Sequence, residues 1–80
     1  MARPIYLATG KNCSEKHVVR GILVDPSAGS WVCVLQDSAG KTIFSARGAD
    51  ATTVFYPVEI DSDAFNQSTA TNLTCVILYV

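Results

Sequence analysis

His17 is the only histidine in this 80-residue chain, and so it is the only imidazole that could act as a general base near neutral pH. A Ser–His–Asp arrangement would have to be built on it. His17 follows Lys16 at the start of an apolar segment, and the chain has no G-x-S-x-G elbow to expose a serine nucleophile. We therefore predict no catalytic residue and a protein that is not an enzyme, with His17 at the surface or at a strand edge.

Three cysteines, Cys13, Cys33 and Cys75, are the other candidates for chemistry. An odd number cannot form a closed set of intrachain disulfides. A four-ligand zinc site would need all three thiols and His17 to converge, whereas structural zinc sites draw on closely spaced ligand pairs. We predict free thiols in a reducing compartment, with Cys33 and Cys75 buried because each lies in an apolar run.

Two acids separated by one serine, Asp61 and Asp63, could hold a hard cation through one loop. The same pattern is typical of any exposed turn, and we prefer that interpretation. Gly10-Lys11 and Gly40-Lys41 lack the glycine spacing of a phosphate-binding loop. The sequence therefore predicts no metal site and no cofactor.

Charge and hydropathy limit the classes of partner. Six Lys and Arg residues against seven Asp and Glu give a formal net charge of −1, which offers no electrostatic basis for binding nucleic acid or an anionic membrane. The longest apolar run, residues 75–80, is far shorter than the roughly 20 residues of a membrane-spanning helix. The first residues contain no apolar run of signal-peptide length, so we do not expect secretion by that route.

The elements that must position these residues are strands. Val, Thr, Ile and aromatic residues carry the apolar content, and turn residues recur at short intervals, as in Asp25–Gly29 and Asp37–Gly40. We predict one all-β domain over residues 1–80, a small antiparallel β-sandwich or barrel of jelly-roll-like type, with a meander running from His17 to Ala46. The predicted strands are Ile5–Thr9, His17–Asp25, Ser30–Asp37, Lys41–Ala46, Thr53–Ile60 and Asn72–Val80.

Period-two alternation assigns the faces of these strands. In the third strand, Trp31, Cys33 and Leu35 share one face. Pro57 cannot donate to a strand ladder, so the fifth strand should lie at an edge or carry a bulge. Residues 64–71 are polar apart from Phe65 and fit a surface loop or a short irregular strand.

The last strand is apolar on both faces. Leu73, Cys75, Ile77 and Tyr79 alternate with Thr74, Val76, Leu78 and Val80. A strand that is apolar on both faces is buried on both, and a domain this small often needs oligomerisation for stability. We therefore predict a subunit interface at this strand; the alternative is a strand central to a tight barrel and sealed by its own loops. The candidate interface residues are Val76, Ile77, Leu78, Tyr79 and Val80.

Three segments carry a resemblance to a known family. The first is Val18-Val19-Arg20-Gly21-Ile22-Leu23-Val24, and the last is Val76-Ile77-Leu78-Tyr79-Val80. Between them, residues 37–46 form a hairpin motif of the pattern D-x-x-G-x-x-ℓ-x-x-A, where ℓ is an apolar residue. With this layout the chain resembles the small virion structural proteins of tailed phages. The resemblance implies a homotrimeric β-sandwich that decorates or cements the capsid, or forms part of a head fibre or tail knob. Its partners would be further copies of itself and the major capsid protein or another virion protein. It would reside in the virion, after assembly in the host cytoplasm.

The alternative function is a receptor- or glycan-binding knob. Exposed Trp31, Tyr6 or Tyr56 beside Asn and Asp side chains would favour that function, since aromatic rings stack on sugars, whereas burial of these aromatics would disfavour it.

Overall fold

The computed structural model describes residues 3–80, which form seven strands in two antiparallel sheets. One sheet has four strands in the order β1-β7-β2-β5, and the other has three in the order β4-β3-β6. The strands are β1 (Pro4–Ala8), β2 (His17–Pro26), β3 (Trp31–Gln36), β4 (Thr42–Gly48), β5 (Val54–Ser62), β6 (Asn66–Thr71) and β7 (Leu73–Tyr79).

The predicted all-β class with antiparallel sheets is confirmed. No strand pairing within residues 3–80 closes the two sheets into a barrel, so the sandwich alternative holds. None of the described residues lies in a helix long and apolar enough to cross a bilayer.

The predicted meander from His17 to Ala46 is wrong, because β2 and β3 belong to different sheets. Among the strands of residues 3–80, β3 and β4 alone form a hairpin. β2 and β3 contribute to opposite walls of one core, in which Ile22, Val24, Cys33 and Leu35 are all fully buried. Two neighbouring strands in one sheet would have placed these side chains beside one another and left that face open.

The connections between strands contain residues with a positive backbone φ angle, two of which lie in or beside the predicted turns. Gly40 has φ 84° in the hairpin between β3 and β4, as expected for a turn that begins at Asp37. In the connection between the two sheets, which contains Gly29, the left-handed residue is Ser30, with φ 56°. The Asn72 side-chain amide donates to the Gly29 carbonyl oxygen at 2.9 Å and holds this connection against the start of β7.

Residues 66–71 form an irregular strand, one of the two forms predicted for this segment. β6 pairs with β3 through a register shift between Val34 and Leu35. Phe65, just before it, is fully buried and exchanges two backbone hydrogen bonds with Cys13. The Gln67 side chain donates to the Ala8 and Lys11 carbonyl oxygens, both at 2.8 Å, and so anchors the loop that follows β1.

The prediction for Pro57 is confirmed on both counts. β5 is an edge strand of the four-stranded sheet, and the register of its pairing with β2 shifts between Val19 and Gly21, opposite Pro57. β7, in contrast, lies between β1 and β2 at the centre of that sheet. Its apolar character on both faces follows in part from this central position.

The core between the sheets is built from alternate residues of the central strands. Trp31, Cys33 and Leu35 on β3 share one buried face, as predicted, and oppose Val76 and Leu78 on β7. The Trp31 indole N–H donates to the Asp50 carbonyl oxygen at 3.0 Å, which satisfies its one polar group. Truncating such a side chain to alanine typically costs about 2–5 kcal/mol.

A candidate assembly face on the four-stranded sheet

The outer surface of the four-stranded sheet is apolar across its width. Strand register aligns Tyr6 with Ile77, Ile77 with Leu23, and Leu23 with Phe55, so one cross-strand row runs from edge to edge. The next row aligns Pro4, Tyr79, Gly21 and Pro57. We call this surface the outer face and define it by Pro4, Tyr6, Leu23, Phe55, Pro57, Ile77 and Tyr79.

A glycine lets two aromatic rings meet on the outer face. Gly21 lies between Tyr79 and Pro57 in the second row, and a Cβ atom on it would come within 2.4 Å of the Phe55 Cζ. The Phe55 ring therefore lies over the bare backbone of Gly21. It meets the Tyr79 ring edge-on, with centroids 5.9 Å apart. This geometry is the favourable T-shaped arrangement of aromatic pairs.

Among the described residues, two of the three exposed large hydrophobic side chains lie on this face, and the third is Val18. Tyr6 is 69% exposed and Phe55 is 51% exposed, and both belong to the same continuous row. Single exposed apolar residues are ordinary, but a contiguous apolar patch marks an interaction surface.

The outer surface of the three-stranded sheet has a different chemistry. Its register rows align Val32 with Arg47 and Thr71, and Val34 with Ser45 and Thr69. Hydroxyl and guanidinium groups flank the two half-buried valines. One broad face therefore carries a continuous apolar patch, bordered by the Arg20–Glu59 ion pair and by Asp25, and the other broad face is mostly polar.

The five predicted interface residues do not all lie on the same side of the sheet, because successive side chains of a strand point to opposite faces. Val76 and Leu78 are fully buried in the chain's own core. Val80 packs beside that core and exchanges two backbone hydrogen bonds with Arg3. Only Ile77 and Tyr79 lie on the outer face, where both are half-buried. The interface prediction is therefore narrowed to these two residues, because the other sheet already covers Val76 and Leu78.

The structure adds to the predicted interface residues Gly21, Leu23 and Phe55, which the sequence reasoning did not select, and Tyr6, which it considered only for sugar binding. They come from three strands that are distant in sequence and adjacent only in the sheet. The available signal was the alternation of β5, which placed Phe55 and Pro57 together on the face opposite the core side chains. Strand order was needed to bring that face beside Tyr79.

A thiol and a carboxylate lie at the border of the outer face. Cys75 is half-buried, which contradicts the expectation of full burial, and its Sγ lies 3.9 Å from Asp25 Oδ2. Burial raises the pKa of the Cys75 thiol, and the negative charge of Asp25 adds to that effect. Cys33 is fully buried as predicted, and burial raises its pKa from 9.0 to about 11.

The residues first considered for chemistry occupy separate places. His17 Nε2 lies 3.8 Å from Glu15 Oε2, and the buried Cys13 thiol lies 3.9 Å from the Glu15 carbonyl oxygen. With Arg3, Pro4 and Ile5 they line a shallow cleft of about 290 Å³. Within residues 3–80, no group of three or more His, Cys, Asp and Glu side chains is arranged to hold a metal ion.

Asp63 is engaged in a structural contact. It accepts hydrogen bonds from the Ser38 hydroxyl and from the Ser38 backbone N–H, the latter at 3.2 Å. These two bonds lower the pKa of the Asp63 carboxyl. The carboxylate thus anchors the β3–β4 hairpin to the end of β5.

Comparison with protein-family models, with curated protein sequences and with solved structures finds no match to this chain.

Proposed function

We propose that this protein is a structural component of a tailed-phage virion that assembles as a homotrimer and decorates or cements the capsid. The observation that carries the self-association is the continuous apolar row Tyr6–Ile77–Leu23–Phe55 on the outer face. In the trimer, the outer faces of three copies turn toward a common axis. The major capsid protein or another virion protein is the further partner, and the virion, assembled in the host cytoplasm, is the location.

The dimensions of the domain suit this role. The chain is a slab of 31 × 29 × 17 Å, and the outer face lies on one of its broad sides. A stable interface buries about 800 Å² per partner, which is of the order that such a side can supply. Burying one large apolar side chain contributes roughly 1.5–3 kcal/mol, and a trimer repeats each contact three times.

The proposal that the protein belongs to a virion is supported by the resemblance of residues 18–24, 37–46 and 76–80 to small virion structural proteins of tailed phages. The structure is compatible with it, because a decoration protein needs a rigid scaffold and one surface for association. Many identical copies on a particle also make a modest contact per copy effective through avidity. The polar broad face, with Ser45, Arg47, Thr69 and Thr71, would remain in water.

The second candidate, a glycan-binding knob, retains one observation in its favour, the 69% exposure of Tyr6. Trp31 is buried with its indole N–H already bonded, and Tyr56 packs half-buried against the core and the Phe44 ring. The cross-strand neighbour of Tyr6 is Ile77, which offers no hydrogen bond to a sugar hydroxyl. The outer face therefore supports protein association better than sugar binding.

Light scattering coupled to size exclusion tests the self-association. We expect wild-type protein at tens of micromolar to elute at three times the 8.6-kDa chain mass. Tyr6→Glu and Phe55→Asp should reduce it to folded monomers, because each places a charge in the apolar row. Thr69→Glu on the polar broad face is the matched control and should leave the trimer intact. A folded wild-type monomer at these concentrations refutes the proposal.

The virion assignment has a separate test. The genes that flank this one should encode capsid, portal or tail proteins, and antibody against the protein should label purified phage particles. Flanking genes of an unrelated class and unlabelled particles contradict the virion role even if the trimer forms.

A further inference from the structure

Gly21 is a buried residue beneath the outer face, between Tyr79 and Pro57 in the second cross-strand row. It is the one position of that row without a side chain. The Phe55 ring fills the space in which a side chain at position 21 would stand, because a Cβ atom there would come within 2.4 Å of Phe55 Cζ and 2.7 Å of Phe55 Cε1. The glycine therefore determines where the Phe55 ring lies.

The Phe55 ring is a large part of the surface that a second copy would contact. It is 51% exposed and stands at the β5 end of the first cross-strand row. By leaning from that row over Gly21, the ring reaches Tyr79 in the second row, with ring centroids 5.9 Å apart. The two rows are thereby joined into one apolar surface without a gap at the glycine.

A side chain at position 21 would alter this surface and leave the sheet intact. Carbon atoms in contact lie about 3.5–4.0 Å apart, so a Cβ atom on Gly21 would force the Phe55 ring to move by about 1 Å or more. Gly21 has no positive φ, and alanine is favoured over glycine inside a strand, so β2 itself accepts the change. The ring must rise from the sheet or swing aside, and either movement changes the surface that a second copy would meet.

We propose that Gly21 is a positioning residue for self-association, which makes no contact with the second copy and acts by letting the Phe55 ring lie close against the sheet. This inference rests on the proposed assembly through the outer face. It adds that the fit between copies depends on a residue that is buried within the monomer. Interface cores pack as closely as protein interiors, so a ring displaced from its place disturbs the contacts around it.

A double-mutant cycle tests the inference. Gly21→Ala should raise the midpoint concentration of trimer assembly by at least about tenfold, as measured by light scattering over a dilution series. Phe55→Leu removes the Cε and Cζ atoms that the new Cβ atom would meet. In that background, adding Gly21→Ala should change the midpoint by less than about threefold. An equal factor in both backgrounds overturns the inference, because Gly21 would then act independently of the ring.

Two further measurements separate a positioning role from a structural one. Urea unfolding at concentrations where each variant is monomeric should show that Gly21→Ala remains folded, and loss of the folded state overturns the inference. NMR should detect nuclear Overhauser contacts between the Phe55 and Tyr79 rings in the wild type and lose them in Gly21→Ala. Contacts that persist would show that the ring has not moved and refute the proposal, even if Phe55→Leu does not assemble.

The matched control is Ser45→Ala, an exposed position on the polar broad face. It should leave the assembly midpoint unchanged, and a shift as large as that of Gly21→Ala would refute the inference. If the wild type and Gly21→Ala form trimers at the same concentration, the proposed function stands and the role of Gly21 is refuted. If the wild type stays monomeric at tens of micromolar, both are refuted.

Discussion

Two glycines that appear equally crowded should differ in how much stability they lose on the same substitution. A Cβ atom on Gly21 would lie 2.4 Å from the Phe55 ring, and one on Gly48 would lie 2.5 Å from the Trp31 indole nitrogen. Neither glycine has a positive φ, so the backbone accepts alanine at both positions. Any difference between the two variants in the free energy of unfolding must therefore come from the aromatic ring that has to move.

Phe55 is half-exposed, whereas Trp31 is only 2% exposed and is held by its hydrogen bond to the Asp50 carbonyl oxygen. In Gly21→Ala the Phe55 ring can swing into solvent. The loss of its contact with Tyr79, about 0.5–1.5 kcal/mol, is then offset by the 0.5–1 kcal/mol by which alanine is favoured over glycine inside a strand. The free energy of unfolding should therefore change by less than about 1 kcal/mol.

In Gly48→Ala the Trp31 indole can move only by leaving its buried position and its hydrogen bond to the Asp50 carbonyl oxygen. Overpacking a core typically costs about 1–3 kcal/mol, and displacing the indole adds the loss of a buried hydrogen bond, about 1 kcal/mol. We expect a destabilisation of about 2–4 kcal/mol, which for a domain of this size lowers the melting temperature by more than about 8 °C. Urea denaturation followed by circular dichroism measures both variants at one protein concentration. If Gly48→Ala costs no more than Gly21→Ala, the explanation from ring mobility is wrong.

Three further predictions concern the thiols, the hairpin and the core. Because the Cys33 pKa is raised from 9.0 to about 11, the thiol ionises first in the unfolded chain, so its contribution to the free energy of unfolding should be constant below pH 9 and fall by about 1.4 kcal/mol per pH unit up to about pH 11. Cys33→Ala should flatten that profile in urea titrations at each pH, and an unchanged slope would contradict the assignment. The lowered pKa of Asp63 means that its contribution is present above its ordinary pKa of 3.8 and is lost as the pH falls; Ser38→Ala should bring the carboxyl pKa, read by NMR titration, back toward that value. Leu78→Asp should yield unfolded chain by circular dichroism, because Leu78 is fully buried, and a folded monomer would show that the core tolerates the charge.

The sequence predicted most of the strands but not their arrangement. Alternation identified the core face of Trp31, Cys33 and Leu35, because that pattern depends only on the pleat within one strand. The placement of β2 and β3 in different sheets depends on how two apolar faces find each other across the core. A four-residue connection, Ser27–Ser30, is compatible with either arrangement. The hairpin prediction succeeded for β3 and β4, where Asp37 and Gly40 specify a tight turn.

The candidate site was predicted in part for the same reason. The apolar character of Ile77 and Tyr79 was visible in the sequence, and the pleat explains why these two differ from Val76 and Leu78. Tyr6 and Phe55 could not be added, because they join Ile77 only through the order β1-β7-β2-β5. That order is a property of the whole chain and is not encoded in any local window.

The central position of β7 also determines when this protein can fold. β1 and β2 do not pair with each other, and the strand that joins them is the last of the seven. During synthesis β1 has no partner in its sheet until residues 73–79 have left the ribosome, whereas β2 can pair earlier with β5, so the complete four-stranded sheet forms only afterwards. Pairing between strands so distant in sequence is slow, in the range of milliseconds to seconds for all-β domains. In that interval the apolar side chains of each nascent chain are exposed on strands that have not yet paired, and rapid synthesis of many copies should favour misassembly over folding.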